Sequence, residues 1–460
     1  GATGRTAAGA GAPVPGGPRG GGGLLCCPAV TSSRIEAPAE GAPRDAPDRL
    51  PAPLAEGSRG RPLEPRLFLL GLTVCHGLND LYGLVLPPFL PAFQVAFGLS
   101  YLGLGLLSFA TTAVSAVAQP LVGYVADLTR RRRLALLLGF GLYPPALLLF
   151  AAAPTYGILL VAAALLGLAA SAYHPQSTTL LIDRFRQRRG AASGIHGMGN
   201  AVGFALAPLL VGPLAARLGW RPAAVVMAAP ALLGAALVLL AWRRVPEPVA
   251  QVGRGLRAGV TRPLLLLTAV NGLQLAVVAG FVTFLPAYYA SRGAGLAAAG
   301  LQSAPLLAAG LLAQPLGGAL SDRFGRRALL LCSFTGLGVC ILAFAHAGGA
   351  ALVLLALAIG VCASLASPIV LVYAAELAPG GRTGQAVGIA WGVGIAISSV
   401  AAPATGAAID AFGFSWAHSA LGVLALLAAL GALWLPRSRP DHGETAGAPG
   451  PGVDGAGRPA

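Results

Sequence analysis

The chain of 460 residues contains no lysine, only 16 acidic residues and only 10% charged residues in all. Soluble domains run near a quarter charged, so this chain cannot surround a core with a water-solvated shell. The lack of lysine makes all 31 basic residues arginine. Most of these stand in short links between apolar blocks and not in the patches that hold nucleic acid, so no nucleic-acid partner is expected. Cysteine is sparse: the six, at positions 26, 27, 75, 332, 340 and 362, show no zinc or redox spacing and read as inert thiols. No Walker-type glycine loop is present, which excludes ATP as the direct energy source. No two acids share an apolar block, so a bound metal and the metal-pyrophosphate chemistry of a polytopic prenyl or lipid transferase are not expected.

What is abundant is apolar: 56% of residues are hydrophobic and the mean hydropathy is +0.74. These residues fall into blocks of about twenty, the length of helix that crosses some 30 Å of hydrocarbon. Twelve are expected, over 67–90, 101–125, 134–152, 157–181, 191–214, 223–242, 263–287, 296–320, 328–346, 350–373, 384–409 and 416–435. In lipid, an open chain satisfies its backbone groups only as helix, so the fold class is all-α integral membrane. Residues 1–65 and 437–460 are Gly, Ala, Pro and Arg with few core-forming side chains, and both are expected to be disordered tails. Leu24 to Cys27 follows no apolar run, so no lipid anchor is expected there.

Arginine is distributed very unequally between alternate links. One set holds Arg130 to Arg133, then Arg184, Arg186, Arg188 and Arg189, then Arg243, Arg244, Arg254, Arg257 and Arg262, then Arg323, Arg326 and Arg327, and finally Arg382. The other set holds Arg217, Arg221 and Arg292 alone. Seventeen against three puts the first set, and with it both termini, in the cytoplasm of a cell-membrane protein by the positive-inside rule.

The chain is also internally duplicated. Gln119-Pro-Leu-Val-Gly-Tyr-Val-Ala-Asp127 returns as Gln314-Pro-Leu-Gly-Gly-Ala-Leu-Ser-Asp322, 195 residues later. At nearly the same offset Phe89-Leu-Pro-Ala-Phe93 matches Phe284-Leu-Pro-Ala-Tyr288, Pro175 matches Pro368, Asp183 and Arg189 match Glu376 and Arg382, and Gly219-Trp220 matches Gly413-Phe414. Six spans return the chain to the same side, so the halves are parallel repeats: a bundle over 66–242, a cytoplasmic linker over 243–262 and a second bundle over 263–436.

The repeated pattern Gly123-x-x-x-Asp127-x-x-x-Arg131-Arg132 and Gly318-x-x-x-Asp322-x-x-x-Arg326-Arg327 resembles the signature loop of the major facilitator superfamily. His76-Gly-Leu-Asn79-Asp80, Tyr173-His174-Pro175-Gln176-Ser177 and the Gly-rich run to Ala207-Pro208-Leu209-Leu210 resemble the fosmidomycin-resistance branch of its drug exporters. The resemblance implies two six-helix bundles that rock about a central cavity. It also implies latches that hold the cytoplasmic side closed and break as the halves rock, formed by Gly123, Asp127 and Arg131, Asp183 and Arg189, Gly318, Asp322 and Arg326, and Glu376 and Arg382. Span four lacks the intramembrane arginine that many proton-coupled exporters of the superfamily carry.

Within the spans, His76 and Asp80 are one helical turn apart and share a face, roughly 14 and 20 Å into the membrane by helical rise. Asp80 is the only acid well inside a span. A carboxylate there is costly and faces a cavity or stays neutral in packing, so the pair is a candidate proton carrier. The matching positions of the second half, Asn271, Gln274 and Leu275, carry no charge, which makes any proton site one-sided. His174, ahead of a mid-span proline, is a second proton or substrate candidate. Asn79, Tyr82, Gln176, His196, Asn200, Asn271, Gln274 and Trp391 are candidate cavity walls, with His196 leaning to a structural role. His346 and His418 read as packing at helix ends. The expectation is a monomeric secondary transporter in the lipid bilayer, exporting a small organic compound by proton antiport, with the proton gradient in place of a cofactor and no catalytic residues. Proton symport of a solute is the neighbouring alternative, and a polytopic membrane enzyme the one from another class.

Overall fold

The computed structural model describes residues 64–185, 189–241, 260–378 and 383–437, and all regular structure in them is helical. The two tails, nearly all of the linker, and Arg382 lie outside the described residues, as does the Arg189 side chain. Span one runs over Pro65–Gly83, a 3-10 turn at Pro87–Phe89 and a last helix, Leu90–Phe97. Pro87 and Pro88 lack the N–H groups that would carry the helix through, and Gly98 ends it at φ 61°. Spans two and three are Tyr101–Thr129 and Arg132–Ala152. Span four is broken into Tyr156–Ser171 and Tyr173–Arg184, just ahead of Pro175, where the proline displaces a backbone bond. Span five is Arg189–Leu218, and span six continues from Trp220 to Ala241.

In the second half, span seven is Arg262–Ser291, span eight Leu296–Ala308 with Gly310–Phe324, span nine Arg326–His346 and span ten Ala351–Glu376. The last apolar stretch, Ala386–Ala432, has 47 residues. At ~1.5 Å per residue that is about 70 Å, twice what one crossing needs. It is two spans, because Gly413 (φ 82°, ψ 171°) turns the chain between them. Gly219, at the matching place between spans five and six, has nearly the same backbone (φ 83°, ψ 157°), so the repeat extends to the glycine turns. A side chain rarely adopts such angles. The result is the expected twelve-helix fold of two six-helix bundles.

Small residues set how closely the helices approach. Within the first half, a Cβ on Gly167 of span four would collide with the Thr111 carbonyl of span two, and in the second half Gly360 stands against Leu306 in the same way. Between the halves the same device occurs twice, related by the repeat. Gly105 lies against Ala402 and Pro403, and Gly406 against Tyr101, where span two crosses span eleven. Gly300 lies against Pro208, and Gly212 against Leu296, where span eight crosses span five. All these crossings sit at the end of the bundle away from the Arg-rich links. The Asp410 carboxylate adds to the first: it accepts the N–H groups of Tyr101 (2.9 Å) and Leu102 (2.8 Å), while Ser100 Oγ accepts that of Gly103 (3.2 Å). Three of the orphan donors that open the span-two helix are thereby satisfied, two of them from the other half. Toward the Arg-rich end, Gly318, Gly388 and Gly392 face open space, and Leu121, Tyr124, Val125, Leu312 and Leu316 are exposed. Span five packs closely on Leu296–Ala308 of span eight and hardly on Gly310–Phe324, so the halves are joined at one end and parted at the other.

Candidate transport site

The site is built where span five lies on span one. Thr73, His76, Gly77 and Asp80 share one face of span one; His196, Gly199, Asn200 and Gly203 share one face of span five, at the same i, i+3, i+4, i+7 spacing. Gly199 and Gly203 let the two backbones touch: a Cβ on either would strike the carbonyl oxygen of Thr73 or of Gly77. Gly203→Leu is accordingly expected to force the spans apart, costing more than the ~1–3 kcal/mol typical of overpacking because backbone has no rotamer by which to yield. The readout is a loss of folded protein in detergent and a fall in melting temperature; wild-type yield and melting would contradict the contact.

This approach surrounds Asp80, which is 2% exposed, with four nitrogen atoms. Its Oδ1 accepts from Asn79 Nδ2 at 2.8 Å and lies 3.4 Å from His174 Nε2; its Oδ2 accepts from Asn200 Nδ2 at 2.5 Å and lies 3.1 Å from His76 Nε2. Tyr143 in turn donates to Asn79 Oδ1 at 2.9 Å. His76 Nδ1 donates to the His196 carbonyl at 2.8 Å, and the two imidazoles stack 4.2 Å apart. A carbonyl oxygen only accepts, so Nδ1 of His76 carries a hydrogen. Its Nε2 then meets the Asp80 oxygen favourably only if a second proton sits between them, on the ring or on the carboxyl. The pair thus holds one exchangeable proton by geometry. His174, with 42% of its side chain exposed, is the member open to the outside of the cluster. The donor atoms of His76, Asp80 and His174 lie within 4.8 Å of one another, near enough for one metal ion. Each Asp80 oxygen also accepts from an amide, Oδ1 from Asn79 and Oδ2 from Asn200.

The remaining candidates are placed as follows. Tyr82 points into the first bundle, donating to the Met227 carbonyl at 2.8 Å and stacking on Tyr143, so it is not a cavity wall. Gln176 is fully buried, and its Oε1 accepts from Arg132 at 3.0 Å; it braces a helix end and does not line a cavity. Asn271 donates to the Ala390 carbonyl (3.1 Å) and Gln274 to that of Ala363 (3.4 Å), both buried inside the second half. Trp391 is partly buried against the apolar cluster of that half. His418 is buried among the rings of Phe281, Tyr288, Phe344 and Phe414.

At the Arg-rich end, Asp127 pairs with Arg132 and not with Arg131. The first link is one residue longer than its repeat: Arg130, left-handed at φ 54°, and Arg131 separate the helices there, whereas Gly325 alone does so in the second half. Arg132 and Arg326 therefore occupy equivalent places, each opening a helix. Arg326 pairs with Asp322 and Glu376, the latter from Nε at 3.0 Å, and donates to Ser321 Oγ at 2.6 Å. These pairs lie within one half each and are intact while the Arg-rich ends are parted. Gly123 allows Pro175 to approach at 3.5 Å from a Cβ position, but Gly318 meets nothing; its neighbour Gly317 makes the close contact, against Leu365. Asp183 ends span four on the same side.

Three members of the cluster escape a reading of the sequence. Tyr143 and Tyr173, whose hydroxyl donates to the Leu72 carbonyl at 2.6 Å, look like ordinary aromatic core. Gln314 donates to Asn200 Oδ1 at 3.4 Å from the other half; its repetition as Gln119 was the signal that could have marked it.

The Major Facilitator Superfamily profile matches residues 72–313 and again 264–457. The chain belongs to that superfamily. It is similar, at 27% identity over 403 residues, to the uncharacterized MFS-type transporter YfnC of Bacillus subtilis, covering 82% of this chain and 95% of that one. It is also similar, at 27% over 390 residues, to the fosmidomycin resistance protein of Escherichia coli, covering 81% and 93%. Among solved structures, a bacterial homologue of the human lysosomal transporter Spinster, in an inward-facing and occupied conformation, superposes with a TM-score of 0.70 at 19% identity, covering 81% of this chain and 97% of that one. The fold and the family make this chain a multi-pass membrane transporter.

Proposed function

We propose that this transporter exports a small organic compound in exchange for protons, with the Arg-rich links and both termini in the cytoplasm. The observation that carries the proton is the enclosed carboxylate of Asp80, whose contact with His76 requires one shared proton and whose other face meets the half-exposed His174. Export is supported by the name of the relative from Escherichia coli, a resistance protein, and orientation by the arginine asymmetry. In that orientation the glycine crossings close the outer end, and the parted Arg-rich end opens to the cytoplasm, where an exporter loads. Asp322, Arg326 and Glu376, with Asp127 and Arg132, keep each half rigid in this state.

The test is twofold. Overexpression is expected to raise resistance to members of a panel of toxic compounds, and everted vesicles to release protons when such a compound is added; uptake of protons together with the compound would replace export by symport. In a cysteine-free background, a single cysteine at Pro154 or Gly293 is expected to react with an impermeant reagent from outside, and one at Arg131 or Arg326 only after permeabilisation. The reverse pattern overturns the orientation.

A further inference from the structure

We infer that Gln314 is the positioning residue through which the second half reads the protonation of Asp80. This rests on the proposed role of Asp80. Spans five and eight run together from their glycine crossing, Gly212 with Gly300, to mid-membrane, where Asn200 and Gln314 meet and beyond which the Arg-rich ends part. The hydrogen bond from Gln314 Nε2 to Asn200 Oδ1 therefore stands at the vertex of the opening. Asn200 uses its other atom, Nδ2, to donate to Asp80 Oδ2 at 2.5 Å. A primary amide presents donors on one side and an acceptor on the other, so its two contacts are set together.

With Asp80 ionised, Asn200 turns its NH2 to the carboxylate and its oxygen to Gln314, as observed. With Nε2 of His76 still donating to Oδ2, a proton added to Oδ2 points to Asn200, which must then present its oxygen to Asp80 and its NH2 to Gln314. Gln314 then has to answer with Oε1 in place of Nε2, or the contact between the halves is lost. A glutamine can make that reversal, and room for it exists: Gly310 and Gly197 flank its amide, and a Cβ at either would lie 3.3 and 4.0 Å from its nitrogen and oxygen. The repeat makes the arrangement one-sided. Gln119 is the counterpart of Gln314, but the counterpart of Asn200 is Gly394, which has no side chain to relay. The titratable groups facing Asp80 are His76 from span one, His174 from span four and, one contact removed, Tyr143 from span three, Tyr173 from span four and His196 from span five; among the described residues span eight contributes only the neutral Gln314.

The experiment needs no transported compound. In nanodiscs, reaction of Asp80 with dicyclohexylcarbodiimide, read by mass spectrometry, reports the protonated carboxyl; spin labels across the Arg-rich end, read by dipolar spectroscopy, report opening. In wild type the open-to-closed ratio is expected to change about tenfold between about pH 5.5 and 8, in step with labelling. In Gln314→Met, of similar length without an amide, labelling should still follow pH while the ratio changes less than about twofold. In Gln314→Glu, which when ionised can only accept and when protonated still offers an acceptor oxygen, the ratio should stay at the wild type's low-pH value throughout, and this variant serves if the Met variant does not fold. A wild-type conformational response in either variant overturns the role of Gln314. A wild-type conformational response in Asp80→Asn overturns the proton site itself, which separates the two failures.

Discussion

Asp80→Asn is expected to abolish accumulation driven by a proton gradient and to leave compound-for-compound exchange near the wild-type rate. The carboxamide has the carboxylate's shape, so the enclosure survives: its oxygen can still take the hydrogen bond from Asn79, and its NH2 can donate to His76 Nε2, which loses its proton requirement, and to Asn200 once that amide turns its own oxygen inward. What disappears is the exchangeable proton between Asp80 and His76. A gradient of one pH unit contributes about 1.4 kcal/mol for each proton carried, about tenfold in accumulation, and all of it should be lost. Exchange needs only reorientation of the loaded cavity and no net proton movement. The measurement is paired: gradient-driven transport and counterflow in the same proteoliposomes, at matched protein density. Gradient-driven accumulation that persists in Asp80→Asn would move the coupled proton elsewhere, with His174, open to the outside of the cluster, the next group to test.

The parts of this picture that a sequence displays are those with a local period. Blocks of twenty apolar residues gave the spans, arginine in alternate links gave an orientation to test, and the one-turn spacing of His76 and Asp80 marked the pair. Partners arriving from distant spans carry no such mark. Asn200 and the His196 carbonyl each meet span one across 120 residues, and in the sequence Asn200 is one undifferentiated polar residue among several. Register in the links was similarly hidden. One additional residue, accommodated by the left-handed Arg130, moves the ion pair of Asp127 from Arg131 to Arg132, and a shift of one position gives the close helix contact to Gly317 and not Gly318. Tyr82 and Gln176 are not cavity walls, because polarity in a span does not by itself mean a cavity. A buried hydroxyl or amide is equally content with a carbonyl or an arginine inside its own bundle, as both are here. The paired glycine crossings lie in plain view at the repeat offset, yet nothing in a glycine says which backbone will approach it.

Those crossings carry the second large effect. Gly406→Val is expected to hold apart the end that is joined in this structure, because even a Cβ there would collide with the Tyr101 carbonyl, and that backbone belongs to the opposite half. In the proposed rocking motion this contact separates in the alternative state, so the protein is expected to escape the collision by favouring that state, with its abundance near normal. Gly167→Val is the contrasting control: its collision with Thr111 lies inside one half, persists in every state, and should lower abundance instead. Asp410→Ala acts on the same crossing more gently. It removes the carboxylate that accepts two N–H groups at the start of span two, worth about 1–2 kcal/mol for a charged cap at a helix N-terminus, or roughly five- to thirtyfold in the population ratio. Spin labels at Val95 and Phe412, both exposed near the joined end and on opposite halves, should show a longer distance in Gly406→Val and a mixture in Asp410→Ala. Exchange should slow in both, most in the valine variant, since a carrier confined to one orientation cannot complete a cycle. An unchanged distance distribution in Gly406→Val would mean that the two halves do not separate at the glycine crossings, and the rocking motion would have to be rebuilt around another contact.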